Sequence, residues 1–306
     1  MKFVTCREKK SGKVFAGWLA GEGVVDMAAV SGGALPDNML ELIRQNDIYL
    51  PTIRERYAQT PATHTMEEVD LLAPIPNPPS FRDSMCFKEH CENIGVTKGK
   101  GIQPAYFNRP IFYFSNHNTL LGPSQPVTFP KSCRYKDYEF EIGIVIGKPG
   151  RDITPEESQA YIFGYTILCD WSARDLQMVD QQMPLGPHKG KDFATTIGPC
   201  IVTADEVADR LGSDGRHDLK MEGRRNGEVF TVGNFKDIYW TPGDLIAVAS
   251  ADVDLYPGDL LGSGTIGKGS LYELSGEYES TDWLKAGDTV TLEVEKLGRL
   301  DMTVRG

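Results

Sequence analysis

The stretch Asp137-Tyr138-Glu139-Phe140-Glu141-Ile142-Gly143-Ile144-Val145-Ile146 sets the reading of the whole chain. In an extended strand, side chains two apart point to the same side, so Glu139 and Glu141 project together while Tyr138 and Phe140 face the other way. Neighbouring carboxylates repel, and a half-buried sheet avoids them unless something positive lies between. A hard divalent cation such as Mg²⁺ or Ca²⁺ takes clustered oxygen ligands of this kind. The run Ile142 to Ile146 is apolar on both faces, which predicts a strand that dives into a core with the carboxylates at its mouth. A second apolar strand, Tyr161 to Leu168, is expected to lead to a third carboxylate, Asp170. With 43 Asp and Glu among 306 residues, the Glu-x-Glu pair is also compatible with a solvated strand face, so other motifs must decide.

Composition narrows the function classes. A length of 306 residues suggests about two domains, or one with an appendage. Apolar residues make up 40% and charged residues 25%, as in an ordinary soluble globular protein. No apolar run approaches the roughly eighteen residues that span a bilayer, and Met1 to Lys10 has no apolar core like that of a secretory signal, so a cytoplasmic location without a membrane partner is expected. The net charge of −11 argues against nucleic acid, whose phosphates are held by Lys and Arg. Six cysteines (Cys6, Cys86, Cys91, Cys133, Cys169 and Cys200) form no Cys-x-x-Cys pair and are expected as free thiols.

In chain order, residues 1–73 read as a small N-terminal domain with strands at Phe3–Thr5, Val14–Ala20 and Val24–Met27, and helices near Met39–Gln45 and Ile53–Tyr57. The Pro-rich segment Pro74 to Pro79 reads as the linker into a main domain spanning 74–306. A helix starting near Asp83 would bring His90 round to the same face two turns on, although Asp83 as a cap and His90 as a surface residue fit equally simple readings. Gln177 to Lys191, broken by Pro184, Gly186-Pro187 and Gly190, predicts a mobile loop. Pro242-Gly243-Asp244, Pro257-Gly258-Asp259 and Ala286-Gly287-Asp288 read as turns, which predicts a β-rich α+β domain. Gly262 to Gly269 has the backbone amides to cradle an anion.

Four motifs in order, Asp-Tyr-Glu-x-Glu (137–141), Asp-x-Ser-Ala-Arg-Asp-x-Gln (170–177), Gly-Lys-x-Phe (190–193) and Pro-Gly-Asp-Leu-Leu-Gly-Ser-Gly-Thr (257–265), resemble the fumarylacetoacetate hydrolase family over residues 74–306. The resemblance implies a mixed β-sandwich roll and a homodimer. It implies metal ligands Asp83, Glu139, Glu141 and Asp170, holding Mg²⁺ or Ca²⁺ with Mn²⁺ as a third candidate. Asp83, His90, Asn93 and Gly95 match the Asp-x₆-His-x-x-Asn-x-Gly pattern of the fumarylacetoacetase branch, as does Gly269-Ser270-Leu271-Tyr272-Glu273-Leu274. The dyad of that branch thus becomes His90 with Glu273. In acylpyruvate hydrolases and oxaloacetate decarboxylases the partner carboxylate lies three residues after the histidine, where this chain has Asn93. Lys191, Gln177 and Arg174 complete the implied catalytic set, and Tyr113, Thr265, Gln181 and Gln182 are implied at the substrate. The branch's loop tyrosine falls at Gln181 or Gln182, and its substrate-binding arginine falls near Lys98 to Lys100.

The expected activity is metal-dependent hydrolysis of a carbon-carbon bond in a small 1,3-diketo or acylpyruvate-type acid. The cation would hold the leaving enolate and the His90–Glu273 pair would activate water. Decarboxylation of oxaloacetate or another β-keto acid, or isomerisation of an unsaturated diacid, is the alternative on the same metal site. A metal-stabilised binding or scaffold protein is the alternative of another class. A structural cation, however, needs neither His90 nor Glu273.

Overall fold

The structure is a computed structural model that describes residues 1–97, 101–183, 185–275 and 278–305. Lys98 to Lys100 and Pro184, which the sequence reading singled out, lie outside the described residues. Two sheets carry the fold. The larger runs, through its main path, in the order His64–Thr65, Gly23–Asp26, Val14–Ala20, Lys2–Glu8, Thr195–Thr203, Ile162–Ala173, Lys136–Ile146, Leu260–Gly262, Phe81–Ser84 and Phe112–Phe114. The smaller has five strands, from Glu228–Asn234 through Lys220–Arg225, Thr289–Val294 and Gly298–Arg305 to Val127–Thr128. The β-rich architecture with two sheets and a small N-terminal β region is the one expected from the sequence. The N-terminal strands continue the larger sheet, where Phe3 pairs with Ile201.

The period-2 pattern of Lys136–Ile146 explains its place between two cores. Phe140, Ile142, Ile144 and Ile146 enter one cluster with Leu292, Met221 and Leu300 of the smaller sheet. Val145, on the opposite face, joins Trp18, Phe163, Leu168 and Leu260 under the N-terminal helices. Glu139 and Glu141 share the face of Val145, nearer the start of the strand.

Several local expectations change. Asp83 lies in the strand Phe81–Ser84, not at a helix start, and the helix begins only at Lys88. Arg82 and Asp83 are buried and paired on both sides, to Leu261 and Gly262 on one and to Phe114 and Tyr113 on the other, so neighbouring strands override the local pattern. The strand predicted to stop at Leu168 continues to Ala173, which puts Asp170 inside the ladder. The predicted loop after Gln177 is preceded and partly replaced by the helix Arg174–Asp180. Pro242-Gly243-Asp244 is the first turn of the helix Pro242–Ser250, with Pro at its start and Thr241 and Asp244 forming a capping box. All six cysteines are free and buried. No helix among the described residues is long and apolar enough to cross a membrane.

Candidate active site

Strand register assembles the acids. Antiparallel pairing sets Asp170 opposite Glu139, while Asp83 pairs with Gly262 on one side and Tyr113 on the other. Asp83, Glu141 and Asp170, all buried, bring carboxylate oxygens within 4.8 Å of one another. At that spacing, and at an effective dielectric constant near 20, each ionised pair costs about 3 to 4 kcal/mol, so the fully charged trio demands a cation or protons. Burial, then the neighbouring acids, raises the Glu141 carboxyl well above its ordinary value. Burial also raises Asp170 and Asp83, with Lys191 opposing the shift in both.

Three features fit this trio to a divalent cation. Its donors are all hard carboxylate oxygens. Asp170 Oδ1 is buried without a hydrogen-bond partner. Finally, a Cβ at Gly262 would meet Asp83 Oδ1 at 2.2 Å and Glu141 Oε2 at 3.1 Å, so the absence of a side chain there keeps the carboxylates' space open.

The Gly-rich loop does hold an anion, and the anion is the protein's own. Gly264, in the left-handed region at φ 78°, donates its N–H to Glu141 Oε2 at 2.9 Å. Thr265 Oγ1 reaches Glu141 Oε1 at 3.4 Å. Lys268 N donates to Glu273 Oε1 at 2.9 Å.

Glu139 faces the cations. Its Oε1 accepts from Arg174 Nη1 at 2.7 Å and its Oε2 from Lys191 Nζ at 2.6 Å. Burial would raise this carboxyl, but Lys191, Arg174 and His90 hold it far below the ordinary range. Lys191 also donates to Asp170 Oδ2 at 2.5 Å and Ser172 Oγ at 2.7 Å, and these acids keep its ammonium protonated despite burial. Arg174 Nη1 donates to Gln177 Oε1 at 3.0 Å as well. Tyr113 Oη lies 3.2 Å from both Asp83 Oδ2 and Asp170 Oδ2. Gln181 and Gln182 follow the helix Arg174–Asp180 and are exposed.

Beside this cluster, the helix Lys88–Thr97 presents His90, 2% exposed, with Nδ1 2.8 Å from Glu273 Oε2 and Nε2 3.9 Å from Glu139 Oε1. Glu273 further accepts from Asn93 Nδ2 and Ser270 Oγ, each at 3.0 Å. Burial works against its charge, yet His90, Asn93 and the Lys268 N–H hold the carboxyl below its ordinary value. Glu139 thus stands between the acid trio and the histidine pair. The sequence reading passed over Asp137, which is buried here and receives the Arg174 guanidinium. The period-2 series Asp137, Glu139, Glu141 was the available signal.

Residues 80–305 match the family model described as fumarylacetoacetate (FAA) hydrolase, C-terminal. The chain belongs to the fumarylacetoacetate hydrolase family. Among relatives within it, the mitochondrial oxaloacetate tautomerase Fahd2a of Rattus norvegicus is 32% identical over 281 residues, 91% of this chain and 82% of the relative. Oxaloacetate tautomerase YisK of Bacillus subtilis is 27% identical over 281 residues, 87% and 86% of the two chains. A similar solved structure, maleylpyruvate hydrolase from a Sphingobium species in complex with manganese(II) and pyruvate, has TM-score 0.74 and 25% identity, covering 100% of this chain and 99% of that one.

Proposed function

We propose that this fumarylacetoacetate hydrolase family member catalyses keto–enol interconversion of a small β-keto diacid of the oxaloacetate class. The observation that carries the reading is the buried His90–Glu273 pair set beside the Asp83, Glu141 and Asp170 cluster. The activity named for relatives at 32% and 27% identity supports it. Tautomerisation needs one group to take a proton from carbon and return it to oxygen or carbon, and a buried imidazole does this near neutral pH. His90 is that group in our reading, with Glu273 fixing the orientation of its ring through the Nδ1 contact at 2.8 Å.

Asp83, Glu141 and Asp170, joined by Glu139, would hold a divalent cation, Mg²⁺, Ca²⁺ or Mn²⁺. When bound, such an ion polarises a carbonyl and stabilises the charge of an enolate. Lys191 supplies fixed positive charge at Asp170 and Glu139, ready to offset charge developing on a substrate oxygen. Arg174 holds Glu139 and Gln177 in place, while Tyr113 and Thr265 border the acids. Gln181 and Gln182, on the exposed edge, are proposed to meet the substrate's tail. The working unit is proposed to be a homodimer.

A second reading, hydrolysis of a carbon-carbon bond in an acylpyruvate or 1,3-diketo acid, is favoured by one observation. Four groups converge on the two carboxylate oxygens of Glu273, namely His90 Nδ1, Asn93 Nδ2, the Lys268 N–H and Ser270 Oγ, which suits a dyad that must activate water as well as shuttle a proton. Three assays separate the readings: loss of the enol absorbance of oxaloacetate, release of CO₂ from it, and cleavage of an acylpyruvate. Rapid loss of enol without CO₂ release is expected. Acylpyruvate cleavage with no acceleration of enol loss would replace our reading with hydrolysis.

A further inference from the structure

We propose that Asp137 is a positioning residue that ties the orientation of Glu273 to that of Glu139, making the acid cluster and the histidine pair one mechanical unit. The inference rests on the functional reading above only for its kinetic arm. Asp137 is fully buried and is the first of three carboxylates on one face of Lys136–Ile146, yet its oxygens are engaged elsewhere than the acid trio. Oδ1 accepts from the N–H groups of Tyr138 at 2.8 Å and Leu271 at 2.9 Å. Oδ2 accepts from Tyr272 N at 3.3 Å and from Arg174 Nε at 2.8 Å, with Arg174 Nη2 at 2.8 Å.

Leu271 and Tyr272 immediately precede Glu273, and the same guanidinium donates from Nη1 to Glu139. One carboxylate therefore holds both the backbone that enters Glu273, through Leu271 N and Tyr272 N, and the cation that holds Glu139. These are charge-assisted bonds, roughly twice as strong as neutral ones, and peptide planarity carries an anchored N–H over to the next residue's position. Misplacing a catalytic carboxylate by about 1 Å can cost on the order of a hundredfold in rate. A merely structural role for Asp137 would instead leave Glu273 held by its own bonds to Asn93, Lys268 N and Ser270 and by the packing of the buried Leu271 and Tyr272.

The test is Asp137→Asn, which keeps the shape and one acceptor but removes the charge. The substrate-independent arm is hydrogen–deuterium exchange of peptides covering 264–275, expected to speed up about tenfold while 195–203 is unchanged. In the kinetic arm, kcat for oxaloacetate enol conversion should fall about tenfold or more with KM within about twofold, and the same change in a Glu273→Gln background should cost less than about twofold, because groups that act as a unit are non-additive. Unchanged exchange at 264–275 overturns the proposal, as does an equal loss of kcat in both backgrounds. If the parent enzyme leaves oxaloacetate untouched, the functional reading fails and the exchange arm alone decides. Should Asp137→Asn not fold, Asp137→Asn with Arg174→Gln removes both buried charges together and gives the same exchange measurement.

Discussion

His90 Nδ1 meets Glu273 Oε2 at 2.8 Å, although one side chain comes from the helix Lys88–Thr97 and the other from the short helix Leu271–Ser275. Both side chains are buried, and the Glu273 carboxyl is held below its ordinary value by the neighbouring His90. His90→Ala and Glu273→Gln are each expected to lower kcat by about 10²- to 10⁴-fold. The double variant should cost little more than either single one. Calorimetric titration with Mn²⁺ should give affinities near wild type for both. Retention of full activity in His90→Ala would remove the proton-transfer role.

The acid trio makes a prediction about stability in opposite directions. Glu141→Gln keeps an oxygen for the Gly264 N–H while removing one of the crowded charges whose carboxyl is raised by burial and by Asp83 and Asp170. The metal-free variant is therefore expected to melt at a higher temperature than metal-free wild type. Adding Mn²⁺ or Mg²⁺ at about a hundred times its Kd should stabilise wild type by about 3 kcal/mol and the variant far less. Equal thermal shifts on adding metal would contradict the assignment of Glu141 as a ligand.

Much of this site was legible in the sequence because period-2 strands expose their chemistry directly. Asp137, Glu139 and Glu141 lie on one face whatever the fold, and an apolar run behind them says which end is buried. Asp83 was harder: its segment reads as a helix start, and only pairing with Gly262 and Tyr113, far away in the chain, makes it a strand. The division of labour among the acids was not legible at all. Glu139 and Glu141 look equivalent in sequence, yet Arg174 and Lys191 lie against Glu139 while Gly264 and Thr265 lie against Glu141. The helix Arg174–Asp180 was hidden by the Pro and Gly residues that follow it.

Gly262→Ala tests whether the space beside the acids matters. The new Cβ would stand 2.2 Å from Asp83 Oδ1, so that carboxylate must move. The backbone at Gly262 lies in a regular strand, so the fold should persist and the damage should be local. Mn²⁺ affinity is expected to fall at least about tenfold, read by calorimetry, with a far-ultraviolet circular dichroism spectrum like wild type. Undiminished affinity would show that Asp83 can be displaced without loss and would argue against it as a ligand.

His217 gives a pH dependence away from the acid cluster. Its ring is buried, packed edge-on against Tyr165 at 5.0 Å and stacked on Phe235 at 6.0 Å, with Nδ1 lacking a hydrogen-bond partner. Burial pushes its pKa down to about 4 from an ordinary 6.5. Above pH 6.5 the imidazole is neutral in folded and unfolded chains alike and contributes no pH dependence. Between 6.5 and 4 the unfolded chain takes up a proton that the folded chain refuses, so stability falls as the pH falls, by about 3 kcal/mol over the window. Below pH 4 both states are protonated and the loss levels off. His217→Phe keeps an aromatic ring in the stack and cannot titrate. Urea unfolding at pH 7 and pH 4.5 should therefore show a smaller loss of stability in the variant than in wild type, with m-values unchanged. An identical loss in both proteins would mean that His217 is protonated in the folded state at the same pH as in the unfolded one.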